Sequence, residues 1–297
     1  MKNKSSIIEA LTLNTKNVIL FLYLTMFKGN IIPSEKLKYP IIDLSICKEP
    51  LRLEEIKKII SYVYDPKIRA WLGFLARCEG TYKIKNDTGE FDGIIPQSHQ
   101  YLICFTNVVA DSFDRHPNIV HEIVTSKGIK LRSSASGRYQ FLTKTWNEIL
   151  RLIDIKTFLI THKHTLSKIF KKHIVELYKN DTSNILQYKK YNDLVKYEFG
   201  PFMQDLGAIL LLYKANVIQD ILKENFKTAI FKCAPIWASL PCSEQDKSYF
   251  SGQPAFTLKK ALEICTEMKE ASEKYFKNKN SNSKNKSKKN NKNGKNI

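Results

Sequence analysis

The stretch Asp65-Pro66-Lys67-Ile68-Arg69-Ala70-Trp71-Leu72-Gly73-Phe74-Leu75-Ala76-Arg77-Cys78-Glu79-Gly80 carries its own start and stop signals. Asp65 suits an N-cap, Pro66 the first helical position, and Gly80 the left-handed residue that ends a helix. Ile68, Trp71, Leu72 and Leu75 recur at helical spacing and define a buried face. One further turn along that face lands on Glu79. Apolar neighbours, the negative end of the helix dipole and few nearby cations all favour a neutral carboxyl there. Such a group can give a proton to a leaving oxygen near neutral pH. The alternative is a Glu that bends out to solvent at a frayed helix end.

Composition sets the outer limits. The 297 residues hold an ordinary apolar fraction of 43%, enough for a real core, in one large domain or one domain with an added module. The net charge of +19 is not ordinary. After Phe276 the chain holds eight lysines and no acidic residue. A stretch of Lys, Asn, Ser and Gly cannot bury enough apolar surface to offset its ordering entropy, so residues 276–297 are expected to be a disordered tail. That tail is either a solubilising end or an adhesive for an anionic surface. Nucleic acid is disfavoured as a partner, since the lysines are not interleaved with aromatics and no phosphate-binding loop is present.

Six widely spaced cysteines, Cys47, Cys78, Cys104, Cys233, Cys242 and Cys265, show no C-x-x-C pair, which argues against structural zinc and a disulfide framework. They fit synthesis in a reducing compartment. His162 and His164 lack a partner ligand at metal-binding spacing. The apolar run from Val18 to Phe27 is too short to span a bilayer and reads as a buried helix, with an unusual export signal as the alternative.

Further along, Ser134-Ala135-Ser136-Gly137-Arg138-Tyr139-Gln140-Phe141 and Ile236-Trp237-Ala238-Ser239-Leu240-Pro241 follow Cys78-Glu79-Gly80-Thr81 in order. With Tyr101 to Pro117 and the Gln204-Asp205 helix, these segments resemble the lambda-type phage endolysins over roughly residues 68–272. Several motifs in register are far more specific than any one tetrapeptide. The resemblance implies a mostly helical α+β, lysozyme-like fold, with a helical lobe and a small β-lobe flanking a glycan-binding cleft. It also implies a peptidoglycan lytic transglycosylase without cofactor or metal. Its partner is the glycan strand, and a monomer is expected, made in the cytoplasm and acting on the cell wall in the periplasm after release or export.

On that resemblance Glu79 is the catalytic acid/base, and Tyr101, Gly137, Arg138, Tyr139, Gln140, Trp237 and Gln253 are substrate-binding candidates. Read as residues alone, Tyr139 and Phe141 could equally face the core. Trp237 could stack on a sugar ring or fill the interior. The segment Cys242–Ser251 exceeds the family's loop, which leaves the register of Gln253 open. A hydrolytic muramidase would need a second carboxylate, for which Asp87, Glu90, Asp92, Asp111 and Asp114 are the candidates. A catalytically silent glycan- or envelope-binding protein is the alternative outside the enzyme class.

Domain boundaries follow. Residues 1–64 form a helical extension, within which Leu53, Ile56, Ile59, Ile60 and Val63 have amphipathic helical spacing. Residues 65–275 form the catalytic domain, with a helical segment inserted near 161–199. The stretch His99–Phe105 has strand character, and Thr143 is placed to cap a helix.

Overall fold

A computed structural model describes residues 44, 49–81, 94, 98–124, 130–154, 166–179, 188–250 and 253–293. The Val18–Phe27 run, His162, His164, Cys47, Asp87, Glu90 and Asp92 lie outside the described residues.

The architecture is α+β and mostly helical. Among the described residues the helices are α1 (Leu53–Tyr62), α2 (Pro66–Cys78), α3 (Thr143–Leu152), α4 (Lys168–Lys179), α5 (Pro201–Lys214), α6 (Ile218–Leu222), α7 (Phe226–Cys233) and α8 (Leu258–Asn293). The one sheet among them is an antiparallel hairpin of β1 (His121–Val124) and β2 (Lys130–Ser133), with His121 opposite Ser133 and Val124 opposite Lys130. No described helix is long and apolar enough to cross a membrane.

Helix α5 is the axis of the core. Every residue from Pro201 to Leu212 is buried, the pattern of a helix enclosed on all sides. Gly207 lets α3 come close, since a Cβ there would stand 3.0 Å from the Trp146 ring. Helix α1 packs on α5 through the expected apolar stripe, burying Ile56, Ile59 and Ile60, so this part of the N-terminal segment shares the main core. Helix α2 packs on α8 and is fastened to it near both of its own ends. Ser272 donates to the Pro66 carbonyl (2.6 Å), and Arg77 pairs with Glu267.

Three local expectations are corrected. The stretch His99–Phe105 forms 3₁₀ turns at Ser98–Leu102 and Phe105–Asn107 instead of a strand. Gln100, Tyr101 and Leu102 are buried in succession, so the segment wedges into the core where a strand would alternate. The N-cap of α3 is Leu142 rather than Thr143; Thr143 is the first helical residue, and its amide donates to Ser134 Oγ (3.2 Å). Helix α8 continues past Phe276 to Asn293, where a disordered tail was expected. A helix already nucleated and docked through Ala261, Ile264, Cys265 and Met268 adds each further residue at low cost, even without an apolar face.

Candidate active site

Glu79 stands at the C-terminal end of α2, and the termination of that helix is specified residue by residue. Asp65 accepts from the Lys67 and Ile68 amides (2.9 and 3.1 Å) at the start. At the end the Gly80 amide bonds to Arg77 O (3.2 Å) and the Thr81 amide to Ala76 O (3.1 Å), with Gly80 at φ +72°. This is a Schellman termination, and the positive φ is why glycine occupies the position. It turns the chain sharply just after Glu79.

The Glu79 carboxyl is pushed up to about 7 by burial, against the pull of a hydrogen bond from Ser239 Oγ to Oε1 (2.6 Å). Glu79 as a whole residue is partly exposed, so the carboxyl is desolvated while the residue keeps an opening to solvent. The neighbouring Cys78 thiol is pushed well above its ordinary value by burial and by Glu79, which makes it a poor nucleophile. Five cysteines, Cys78, Cys104, Cys233, Cys242 and Cys265, are free thiols.

Three of the segments that carry the resemblance, those holding Thr81, Arg138 and Trp237, are joined to one another beside this carboxyl. Thr81 Oγ1 donates to the Arg138 carbonyl (2.6 Å), and Trp237 Nε1 donates to the Tyr139 carbonyl (3.2 Å). Ser136 and Phe141 exchange backbone hydrogen bonds, so Gly137–Gln140 forms a tight loop across the neck of a small hairpin. Gly137 has φ +78°, and a Cβ there would fall 2.2 Å from Gln204 Oε1. That oxygen instead accepts from the Arg138 amide (2.9 Å), while Gln204 Nε2 donates to the Tyr101 and Phe199 carbonyls. Gln140 holds φ +49° and its amide donates to the Ile103 and Gly137 carbonyls.

The side chains of this loop point inward. Tyr101, Arg138, Tyr139 and Trp237 are all essentially buried. Asp205 on α5 collects them: it accepts from the hydroxyls of Tyr101 (2.8 Å), Tyr139 (2.6 Å) and Tyr178 (2.6 Å), and pairs with Arg69 of α2. Arg138 donates to Tyr101 Oη (3.0 Å) and lies over the Tyr101 ring at 5.1 Å. Burial by itself would raise the Asp205 carboxyl, but Arg69, Arg138 and the hydroxyl donors reverse this and hold it below its usual range.

The residues expected to bind glycan therefore divide. Tyr101, Arg138, Tyr139 and Trp237 sit in the interior, with hydrogen bonds to neighbouring protein groups. Gln140 and Gln253 keep partial exposure. Of the second-carboxylate candidates among the described residues, Asp111 and Asp114 are exposed. Ser239, Thr81, Arg69 and Tyr178 were not singled out from sequence as site residues. Ser239 and Thr81 lie inside quoted motifs, which was the available signal; Arg69 and Tyr178 had none. A small cavity between α2, α7 and α8, lined by Lys67, Trp71, Phe74, Glu224, Phe226, Cys265 and Lys269, contains none of these groups.

Known proteins match this chain along the same segments. The Endolysin family model matches residues 69–176 and 182–266, running through most of the stretch read from sequence as an insertion. The Endolysin of Escherichia phage lambda is 22% identical over 173 residues, covering 58% of this chain and 76% of that protein. A solved structure of bacteriophage lambda lysozyme complexed with a chitohexasaccharide aligns at a TM-score of 0.42, with 21% identity, over 70% of this chain and 94% of its own. A second lysozyme structure from bacteriophage lambda aligns at 0.40 with the same identity and coverage. Since the family model spans well over half of the sequence, the chain belongs to the Endolysin family of lysozyme-like, cell-wall-degrading enzymes.

Proposed function

We propose that the chain is a peptidoglycan lytic transglycosylase in which Glu79 is both acid and base. The observation that carries this reading is a carboxyl at the end of α2 that accepts a hydrogen bond from Ser239 and is pushed up to about 7 by burial, unlike the buried Asp205, which its cationic and hydroxyl partners hold low. A group poised there can release and retake a proton with comparable ease. Protonated Glu79 gives its proton to the oxygen bridging N-acetylmuramic acid and N-acetylglucosamine as the bond from C1 to that oxygen breaks. The resulting carboxylate takes the proton of the muramic C6 hydroxyl, whose oxygen closes onto C1. Glu79 ends protonated, the product carries a 1,6-anhydro end, and no water is consumed. Because the nucleophile belongs to the substrate, its effective concentration is high and no second carboxylate is needed to orient a water.

The chitohexasaccharide held by the phage lambda lysozyme supports a β-1,4-linked glycan as the ligand class here. The acting compartment is then the cell wall, reached after release or export. The lysine-rich end of α8 supplies a cationic arm for the anionic surface of the wall.

Digestion of peptidoglycan in oxygen-18 water, followed by mass spectrometry, tests the mechanism. Unlabelled ends, one water lighter than hydrolytic products, are expected. Incorporation of the label would instead mean hydrolysis, and would direct the search for a second carboxylate to Asp87, Glu90, Asp92, Asp111 and Asp114. A protein that binds glycan but releases no product at all would be the silent binding alternative.

A further inference from the structure

The loop Gly137–Gln140 presents two faces. Inward, its Arg138 and Tyr139 side chains join the buried cluster around Asp205, which ties together α2, α4, α5 and the Ser98–Leu102 turn. Outward, the carbonyls of the same two residues accept from Thr81 and Trp237. Thr81 is two residues beyond Glu79, and Trp237 is two residues before Ser239, the partner of the Glu79 carboxyl.

We propose that this loop is a bracket rather than a glycan contact, and that Thr81 is the positioning residue through which it fixes Glu79. The inference rests on the reading of Glu79 as the acid/base. Glu79 is the last residue before a sharp turn, on a chain that leaves α2 at Gly80, where no Cβ limits the backbone. A helix end of this kind frays unless something beyond it is held. Thr81 supplies that hold: it is buried, and its one hydroxyl faces both the Ala76 carbonyl (3.0 Å) and the Arg138 carbonyl (2.6 Å). The Arg138 carbonyl is in turn held in place by its neighbours: the Arg138 amide donates to Gln204 and the side chain to Tyr101. On the other side, the Trp237 indole is clamped to the adjacent carbonyl, and the Ser239 carbonyl accepts from the Phe256 amide (2.8 Å). Glu79 and Ser239 thus stand on two strands of chain fixed to neighbouring atoms of one rigid loop. Two consecutive carbonyls set the separation of acid and hydroxyl.

A bracket and a substrate contact predict different kinetics. Loss of a glycan contact weakens binding in the ground state and raises KM, whereas loss of alignment lowers kcat at nearly constant KM. The test is Thr81→Val, which keeps the shape and removes the donor, beside Thr81→Ser, which restores it. Rates are measured on soluble peptidoglycan chains, with thermal unfolding of each variant as the control for folding. Thr81→Val is expected to lose about ten- to a hundredfold in kcat, the scale of a sub-ångström to 1 Å misplacement, with KM changed less than about twofold. Thr81→Ser is expected to recover most of the rate. Full kcat in a folded Thr81→Val overturns the bracket, as does a rise in KM at unchanged kcat, or failure of Ser to rescue. Glu79→Gln run in parallel separates the two levels. If it cleaves at the wild-type rate the acid assignment falls and the bracket with it; if it is inactive while Thr81→Val is fully active, the bracket alone falls.

Discussion

Replacing Glu79 with Gln should make the folded protein more stable, and only at neutral to alkaline pH. In the folded chain the carboxyl is pushed from 4.5 up to about 7 by burial. Below about pH 4.5 the group is neutral in both folded and unfolded states, and its ionisation costs nothing. As pH rises through the interval up to about 7 the unfolded chain ionises first, so stability falls; above about 8 the full penalty stands. A rise of that size, at ~1.4 kcal/mol per pKa unit, corresponds to about 3 kcal/mol, which the partial exposure of the residue trims to about 2 kcal/mol. The amide of Gln carries no charge and can still accept from Ser239, so it escapes this cost. For a chain of 297 residues about 2 kcal/mol moves the melting temperature by roughly 3 °C. Circular dichroism melts of both proteins from pH 4.5 to 9 should therefore coincide at the acid end and separate progressively toward the alkaline end, with Gln the more stable. The same variant should lose about a hundred- to ten-thousandfold in cleavage. A melting difference that stays flat across pH would refute the desolvated carboxyl on which the mechanism depends.

Ser239→Ala removes the one hydrogen bond that opposes burial at Glu79, so the alkaline limb of the pH–rate profile should move to higher pH; movement to lower pH would contradict the geometry. Asp205→Asn leaves Arg69 buried without its charge partner and should cost about 3–5 kcal/mol in urea unfolding. Because the folded-state value of Asp205 is depressed, its stabilisation is present above the ordinary carboxylate range and is lost as pH falls through the lowered value, so wild type and variant should converge in acid. Gly137→Ala forces a Cβ against Gln204 at positive φ and should cost about 1–3 kcal/mol by the same measurement. Deleting residues 277–297 should leave cleavage of soluble fragments unchanged and weaken binding to intact sacculi, the more so at low salt, where screening is weakest.

Helix α2 was readable to the residue because each of its signals is local: a carboxylate cap, a proline at the first position, a four-residue apolar period and a glycine stop. The hairpin β1–β2 was missed because its strands are four residues each, too short for alternation to register. The stretch around Tyr101 misled for a different reason. Aromatic and β-branched residues in a row describe a core wedge as well as they describe a strand, and only the partners decide. The same ambiguity governs Arg138 and Tyr139. Their composition suits sugar recognition, and the resemblance favoured it, but their direction depends on Asp205 lying 67 and 66 positions further along the chain. No local pattern encodes that meeting. Ser239 shows the converse, since its motif was recognised while its bond to Glu79 required the folded chain.

Asp205 draws its donors from Arg69, Tyr101, Tyr139 and Tyr178, and Ser239 lies later still. A growing chain meets these partners in order of synthesis. Until α5 has left the ribosome, Arg69 and the three tyrosines have no common acceptor and the loop beside Thr81 has no anchor. Until residue 239 follows, Glu79 has no hydroxyl to orient it. A truncated or stalled product therefore holds the acid but not the machinery around it. For an enzyme that dismantles a cell wall, this defers assembly of the surroundings of Glu79 until residue 239 has been made, so that shorter products lack them.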